Sequence, residues 1–203
     1  IFMKNQTILS IVIPTHNKTD LLKQAYNSIV NEKNFETKCE LCISDNSNNE
    51  NTNKFFKSIN APKNFSYERS LEAPSLDENI NKSVMMSKGT YSWIFGDDDL
   101  MVKNALSNIL HILENNNPDI LIINSETFYE EKIIEKSRHF LLNDRTYYEN
   151  DNNSFLQDMG GYLTYAPSII IKKSLWEKNF ENKFIGTFFA HLKVVFNAKI
   201  NHQ

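Results

Sequence analysis

Short apolar runs alternate with helical patterns along the first part of this chain, and this alternation constrains the fold more than any other feature. The first run, at residues 8–13, is rich in β-branched residues, and further apolar runs lie at 39–44, 91–95 and 119–123, as is typical of buried strands. Apolar residues at helical spacing lie between them, as in residues 18–31. This pattern predicts one α/β domain in which helices flank a mainly parallel sheet.

One predicted helix has a recognisable N-terminal capping motif. Ser75 and Glu78 have the spacing of a capping box, in which the hydroxyl and the carboxylate satisfy each other's backbone N–H groups. Leu76, Ile80 and Val84 follow at a spacing of four residues. We expect Gly89 to cap the end of this helix.

The length and the second half of the chain define its organisation. With 203 residues the chain can bury the core of a single domain. Residues 126–153 are more polar and less periodic than residues 8–125, which predicts a loop-rich insertion or a hairpin. A strand at 168–171 and a closing helix at 186–197 follow. The last residues carry no turn or cap signal, so we expect the acceptor-side part, residues 126–203, to be cut short.

Composition excludes several classes of protein. The net charge of −3 is too close to zero for a protein whose binding to nucleic acid depends on phosphate contacts. Aromatic residues make up 12% of the chain, which argues against disorder. No window of 18 apolar residues and no apolar leader are present in this sequence, so we expect a cytoplasmic protein without a transmembrane helix.

The two cysteines are interpreted as packing residues. Cys39 and Cys42 spell C-x-x-C, but they lie within a predicted strand. Residues three apart on a strand point to opposite faces, so these thiols can neither pair nor share a metal easily. We expect two half-buried thiols in a reducing compartment.

The most informative polar feature is an acidic triplet, residues 97–99, which follows the predicted strand at 91–95. Adjacent carboxylates repel each other by about 1 kcal/mol or more per close pair. A chain tolerates this repulsion when the charges face water, or when a divalent cation lies among them. Carboxylate oxygens suit Mg²⁺ or Mn²⁺, which are usually shared with substrate phosphates. The alternative is a solvated acidic turn that caps the next helix.

Other common ligand motifs are absent from the sequence. The triplet lacks the alternating ligands of a calcium-binding EF-hand. Neither the P-loop nor the G-x-G-x-x-G fingerprint occurs, and the chain has only five glycines.

Further polar residues follow the first two predicted strands. Residues 14–17 (Pro-Thr-His-Asn) end the first strand, and Asp45 ends the second. Because loops at the carboxyl ends of parallel strands share one edge, we expect these groups to lie near the acidic triplet. Hydroxyl and carboxylate groups there could bind a base or a ribose, while the metal neutralises a diphosphate. The arrangement suits a nucleotide-diphosphate donor.

At these residues the sequence resembles the family 2 glycosyltransferases, which have the Rossmann-like GT-A fold. The matching segments are residues 9–17, 43–47, 79–91 and 93–100, and the last looks like the family's DXD region. The resemblance covers about residues 8–110. It implies transfer of a sugar from a nucleotide-sugar donor with inversion at the anomeric carbon.

The resemblance also implies roles for individual residues. Those expected to bind the nucleotide sugar are Pro14, Thr15, Asn17, Asp45, Asp77, Asn79 and Asp97. Those expected to bind Mn²⁺ or Mg²⁺ are Asp97, Asp98 and Asp99, with Asp98 and Asp99 as first choices.

The catalytic base is less well marked, because the Glu-Asp dipeptide usual in the family does not occur after residue 160. Asp158 is one candidate. His191 is another, in a segment (186–191) that resembles some deoxysugar-transferring members. The aromatic stretch at residues 176–189 could contact sugars or a membrane surface, although core packing explains it better.

The resemblance implies a glycosyltransferase that acts on a glycan or a lipid-linked acceptor in surface-polysaccharide synthesis. Two alternatives stay open. One is a binding module that keeps the fold but lacks a base. The other is a sugar nucleotidyltransferase, although the Gly-rich basic loop expected of that class is missing at residues 14–17.

Overall fold

The computed structural model of this protein describes residues 7–129, 132–135 and 143–200. Its strands form two sheets. The strands are β1 (Leu9–Thr15), β2 (Cys39–Asp45), β3 (Phe65–Arg69), β4 (Tyr91–Ile94), β5 (Ile120–Ile122), β6 (Thr127–Tyr129), β7 (Lys132–Glu135) and β8 (Ile169–Lys172). The larger sheet has the order β3-β2-β1-β4-β8-β5, and β6 pairs with β7 in a separate hairpin.

The larger sheet is mainly parallel, as predicted. β3, β2, β1 and β4 pair in parallel, whereas β8 is antiparallel to both β4 and β5. The strand predicted at 119–123 was expected to be buried, but β5 lies at the edge of the sheet and its residues are half-buried. The chain after residue 126 therefore places a strand inside the sheet built by the first half.

Helices cover both faces of this sheet. They are α1 (Thr19–Val30), α2 (Phe35–Lys38), α3 (Asn51–Ser58), α4 (Leu76–Met86), α5 (Ala105–Asn116), α6 (Asn152–Met159), α7 (Lys173–Asn179) and α8 (Ala190–Ile200). The closing helix thus begins four residues later than the sequence predicts. Within the described ranges, no helix is both long enough and apolar enough to cross a lipid bilayer.

The core follows from the alternation of side chains along the strands. On one face, Ile11 and Ile13 of β1 pack in a cluster with residues of α1 and α5 such as Leu22 and Leu110. On the other face, Val12 belongs to a second cluster formed with residues of α4, α7 and α8. Both faces of the central strands are therefore apolar, which accounts for their nearly continuous apolar sequence.

The cysteines lie on opposite faces, as predicted. Cys39 belongs to the first cluster and Cys42 to the second, and both thiols are free. They are fully buried rather than half-buried, because β2 lies between β1 and β3 and is covered on both faces.

The start of α4 is confirmed, but its predicted end is wrong. The Glu78 N–H donates to Ser75 Oγ, and the Ser75 N–H donates to Glu78 Oε2, which completes the capping box. The helix ends at Met86, before Gly89. The Gly89 N–H instead donates to Ser10 Oγ at 2.8 Å. A Cβ at position 89 would lie 2.6 Å from that oxygen, which is too close. Glycine therefore permits the close packing against β1.

Candidate functional site

A cavity of about 270 Å³ lies at the carboxyl ends of β1 and β2. Its lining residues come from the loops after these strands and after β4, and from the start of α4: Pro14, Thr15, His16, Lys18, Asn46, Pro74, Leu76, Asn79 and Asp97. This is the edge at which parallel α/β sheets bind ligands. Pro14, Thr15, Asn79 and Asp97 were predicted from the sequence as donor-binding residues.

The loop after β1 is tied to both neighbouring strands. Thr15 Oγ1 donates to Asp97 Oδ2 at 2.8 Å, which links the end of β1 to the acidic triplet. Asn17 has a left-handed backbone (φ 57°), and its N–H donates to Ser47 Oγ at 2.7 Å. Asn17 therefore shapes the turn into α1 and is not among the lining residues.

Asp45 is buried, and its carboxylate is engaged by protein groups. Its Oδ1 accepts from the Ser47 N–H at 2.8 Å, and its Oδ2 accepts from the Tyr67 hydroxyl at 2.7 Å. Burial, together with the nearby Asp45 carboxylate, raises the pKa of Tyr67. The sequence predicts a base or ribose contact for Asp45, but the residue that lines the cavity at this point is its neighbour Asn46.

Asn79 presents an unused acceptor at the cavity. Its side-chain amide donates to the Thr15 carbonyl at 3.1 Å and to Asn46 Oδ1 at 3.2 Å. The remaining oxygen, Asn79 Oδ1, is buried and has no hydrogen-bond partner among the described residues. A buried acceptor without a partner costs about 1–3 kcal/mol, so a ligand that donates a hydrogen bond here would gain from it.

Asp77 has a different set of partners from the one that the sequence suggests. It is 1% exposed and is absent from the cavity lining. Its Oδ2 accepts from the N–H groups of Gly186 and Phe188 at 2.9 Å, and its Oδ1 accepts from the Ala190 N–H at 3.2 Å. The structure thus places Asp77 as the anchor of the segment that leads into α8.

Lys18 lies between two carboxylates of the acidic triplet. Its Nζ is 3.2 Å from Asp97 Oδ1 and 2.8 Å from Asp98 Oδ2. Although burial opposes it, the interaction with these carboxylates raises the pKa of Lys18. Burial raises the pKa of Asp97, and the contacts with Thr15 and Lys18 only partly offset this effect. The triplet is therefore partly neutralised by a lysine of the same chain.

Asp99 lies apart from this ion pair. Its Oδ1 accepts from the Tyr165 hydroxyl at 2.9 Å, whereas its Oδ2 is buried without a hydrogen-bond partner in the described part of the chain. Burial raises the pKa of Asp99. Nothing in residues 7–129, 132–135 or 143–200 forms a group of three or more His, Cys, Asp or Glu side chains that could hold a metal ion.

The residues at the triplet nevertheless fit a hard divalent cation. Mg²⁺ is usually held by one or two carboxylates together with substrate phosphates, so three protein carboxylates are not required. Among the oxygens of the triplet in the described chain, Asp99 Oδ2 is the buried one without a hydrogen-bond partner. The site thus offers oxygen ligands of the right chemistry, with the rest of the coordination left to substrate and water.

Neither candidate base lines the cavity. Asp158 Oδ2 accepts from Arg145 Nη1 at 2.6 Å and from the Tyr147 hydroxyl at 2.7 Å. Burial and this carboxylate raise the pKa of Tyr147 to about 12. His191 is 3% exposed, and both of its ring nitrogens lack a hydrogen-bond partner among the described residues. Burial lowers the pKa of His191.

Lys18 and Tyr165 are among the residues at the site that sequence reasoning missed. Lys18 directly follows a predicted pocket residue, so its position beside the strand end was a usable signal. Tyr165 reaches Asp99 across 66 positions of sequence, and no motif marks it.

A second cavity, of about 660 Å³, lies near the starts of β2 and β3, where residues 60–64 line it together with Tyr26, Val30 and Glu36. It is larger, but it contains none of the predicted site residues. The smaller cavity is therefore the candidate functional site, since Asp97 of the triplet and Asn79 both line it.

Comparison with known proteins identifies the family of this chain. Residues 10–177 match the family model described as Glycosyl transferase family 2. The chain belongs to this family. The resemblance seen in the sequence is confirmed, and membership argues against the nucleotidyltransferase alternative.

Individual relatives of this family 2 chain come from bacteria and archaea. Abequosyltransferase RfbV of Salmonella typhimurium is 30% identical over 202 residues, which cover 94% of this chain and 61% of the relative. The structure of S. aureus TarS 1–349 in complex with UDP has a TM-score of 0.67 at 17% identity, covering 96% of this chain and 56% of that one. The chain therefore spans about three fifths of the relatives' length.

A third relative is a mannosyltransferase, PcManGT from Pyrobaculum calidifontis, in complex with GDP-Man and Mn²⁺. It has a TM-score of 0.58 at 12% identity and covers 85% of this chain and 46% of that one. These structural matches confirm the predicted GT-A fold.

Proposed function

We propose that this chain carries the donor-binding part of an inverting glycosyltransferase. It would transfer a sugar from a nucleotide-diphosphate sugar to a hydroxyl of a glycan or lipid-linked acceptor in surface-polysaccharide synthesis. Membership of family 2 and the similarity to an abequosyltransferase support this proposal. A deoxyhexose or a hexose is the expected transferred sugar.

The observation that carries the proposal is a pair of buried oxygens without partners at one edge of the sheet. One is Oδ1 of Asn79, a residue that lines the cavity, and the other is Oδ2 of Asp99, in the acidic triplet whose first member also lines the cavity. Buried polar atoms in native proteins nearly always have partners. A nucleotide with a metal-bound diphosphate would satisfy both oxygens. Its N–H or O–H groups would donate to one, and its metal ion would bind the other.

The lining residues suit the parts of a nucleotide sugar. Asn46 and Asn79 offer amide groups to a base or ribose. Lys18 supplies a positive charge that can pair with a phosphate. Thr15 holds Asp97 in place through its hydroxyl, so the first carboxylate of the triplet keeps a fixed position beside the ligand.

Asp98 and Asp99 are the residues that we propose to hold Mn²⁺ or Mg²⁺, with Asp97 beside them. Asp98 has a half-exposed side chain, and Asp99 has the unpartnered oxygen. The bound metal would stabilise the negative charge that builds on the departing nucleoside diphosphate. The Mn²⁺ in the structure of the similar mannosyltransferase supports this choice of ion.

Asp158 and His191 are the two candidates for the catalytic base. A general base must come within hydrogen-bond reach of the acceptor hydroxyl, but Asp158 and His191 are both engaged or buried away from the cavity. Asp158 is the better candidate, since its side chain is 15% exposed. The same observation favours a second candidate function, a nucleotide-binding module of this fold without turnover.

Thermal denaturation with UDP, GDP, CDP or dTDP, each with and without Mn²⁺, tests donor binding. A ligand present at about 100 times its dissociation constant adds about 2.7 kcal/mol to the free energy of unfolding. We expect one nucleotide to raise the melting temperature, and more strongly with Mn²⁺ than without it. No shift with any of the four would contradict a donor site in this chain.

Two variants make this test specific. Asn79→Ala removes the unused acceptor and should weaken binding of the nucleotide with or without metal. Asp98→Ala should weaken mainly the metal-dependent part. Asn115→Ala is the matched control, since Asn115 is an exposed residue of α5 outside the cavity lining.

Turnover separates the two candidate functions. With the nucleotide identified, release of the nucleoside diphosphate from the corresponding sugar nucleotides measures transfer to acceptor or to water. Release that is lost in Asp158→Asn would support Asp158 as the base. Binding without any release would support the module.

We also propose that the protein works in the cytoplasm. The two buried free thiols fit a reducing compartment. Fractionation of cells that express the tagged chain would test this location, and recovery outside the cytoplasm and inner membrane would contradict it.

A further inference from the structure

Lys18 occupies a position that two carboxylates would otherwise offer to a cation. It is the residue before the first turn of α1, and its side chain reaches across to the loop after β4. Its Nζ contacts one oxygen of Asp97 and one oxygen of Asp98. A single positive charge that bridges two carboxylates takes the place of an ion shared between them.

Among the described residues, Lys18 is the one cation that forms ion pairs with Asp97 and Asp98. The other oxygen of Asp97 accepts from Thr15, and the first oxygen of Asp99 accepts from Tyr165, so hydroxyl groups hold the flanks of the triplet. The side chain of Asp97 is 10% exposed but that of Lys18 is 45% exposed, so water screens their interaction in part. Metal ions that approach the triplet would meet the ammonium group as a close like charge.

The same lysine also lines the donor cavity. A diphosphate bound there would offer Lys18 phosphate oxygens in place of the carboxylates. If Lys18 moved to these oxygens, Asp97 and Asp98 would become available beside the unpartnered Asp99 Oδ2. Nucleotide and metal would then each favour the binding of the other, which is a coupling between two sites.

We propose that Lys18 is an internal counter-ion that holds the metal position until a nucleoside diphosphate draws it away. This inference rests on the proposed donor and metal site, and it adds an order to that site: the ligand-free protein binds divalent metal weakly, and the diphosphate makes the metal position accessible.

Binding of Mn²⁺ alone, measured by electron paramagnetic resonance of free Mn²⁺ without nucleotide, tests this inference directly. Lys18→Met keeps the length of the side chain and removes its charge. We expect the variant to bind Mn²⁺ at least about tenfold more tightly than the original chain, in the range usual for coupled sites. Lys23→Met is the matched control, because Lys23 lies on α1 close to Lys18 in sequence but pairs with Asp20. The Mn²⁺ affinity of this variant should equal that of the original chain.

Three outcomes would overturn the inference. Equal affinity of Lys18→Met and the original chain would show that Lys18 does not compete with metal. No Mn²⁺ binding to Lys18→Met at millimolar concentration would show that the position behind Lys18 is not a metal site. An equal gain in Lys23→Met would reduce the effect to net charge.

A separate titration with nucleotide tests the proposed function. The nucleotide that raises the melting temperature of the original chain is titrated with each variant, with and without Mn²⁺. If no nucleotide binds any variant, the donor site fails while the Mn²⁺ titration still decides the role of Lys18. If nucleotide binds, Mn²⁺ increases its affinity by some factor in each variant. This factor should be smaller in Lys18→Met than in the original chain, but only if Lys18→Met binds Mn²⁺ more tightly without nucleotide.

Discussion

Individual side chains at the edge of the sheet are fixed by contacts between residues that are far apart in sequence. Thr15 reaches Asp97, Tyr165 reaches Asp99, and Asp77 reaches Gly186. Each contact joins two separate segments of the chain, and each uses a carboxylate as the acceptor. Because hydrogen bonds to charged groups contribute about 1.5–3 kcal/mol each, these contacts make the loops of the site parts of one rigid surface.

His191 makes the stability of the protein depend on pH. Its folded pKa lies below its ordinary value because burial outweighs the attraction of the nearby Asp77 charge. The unfolded chain therefore binds the proton more readily, so stability is complete above about pH 6.5 and falls as the pH drops toward the folded pKa. Between pH 7.5 and 5.5 we expect His191→Gln to lose about 1 kcal/mol less than the original chain.

Urea denaturation at the two pH values measures this difference. His111→Gln is the control, since His111 is an exposed residue of α5, and it should keep the pH dependence of the original chain. An unchanged pH dependence in His191→Gln would show that His191 is not the responsible group.

Several of these residues could be predicted from the sequence, but their partners could not. Thr15 and Asp97 were recognisable because each follows an apolar strand at the edge where parallel strands end. Tyr165 and Asp77 depend on where the second half of the chain returns to the first. Such long-range contacts follow from tertiary packing, and neither periodicity nor a short motif encodes them.

Among the elements, the segment that leads into α8 depends most on a single side chain. It contains Gly186 and Phe188, both with positive φ, and the ring of Phe188 is exposed. Left-handed backbone is unfavourable for a residue with a Cβ, by about 1–2 kcal/mol. The three N–H groups that Asp77 binds hold the segment in this conformation.

Asp77→Asn should therefore loosen this segment. The amide keeps one acceptor oxygen but loses the charge and one acceptor, so we expect a loss of about 2 kcal/mol in the free energy of unfolding. Hydrogen exchange of residues 186–190 should become faster.

Ser75→Ala separates this local effect from a general one. It removes the capping box of the same helix and should cost about 1 kcal/mol, but it does not touch residues 186–190. Equal exchange of this segment in both variants would contradict the role given to Asp77.

The order and type of the elements follow the sequence more closely than their burial does. The apolar pattern of β1 and β2 and the capping box of α4 identify these elements correctly. β5 looks equally apolar in sequence, but it lies at the edge. Edge or centre is decided by strand order, and the insertion of β8 between β4 and β5 sets that order.

At the scale of the whole molecule, the reactivity of the two cysteines measures how readily each face of the sheet opens. Burial raises the pKa of Cys39 to about 12 and that of Cys42 to about 11. A thiol reagent needs the exposed thiolate. At pH 8 we expect the folded protein to react only through opening of the sheet, and the protein in denaturant to yield two thiols.

Single-thiol variants sharpen this measurement. Cys39→Ala leaves the thiol of the second cluster, and Cys42→Ala leaves that of the first. If the sheet opens as one unit, both variants should react at similar rates once corrected for their stability. Rapid reaction of either folded variant would show that one face opens alone.

The position of β8 has a consequence for chimeric enzymes. Exchanging the acceptor-side halves of two family members at residue 125 would leave β4 and β5 of one parent separated by a strand from the other. Backbone pairing with β8 runs through residues 91–93 on one side and 120–122 on the other, so the new strand would have to match two foreign neighbours at once. Crossover points placed after residue 172 keep all six strands from a single parent.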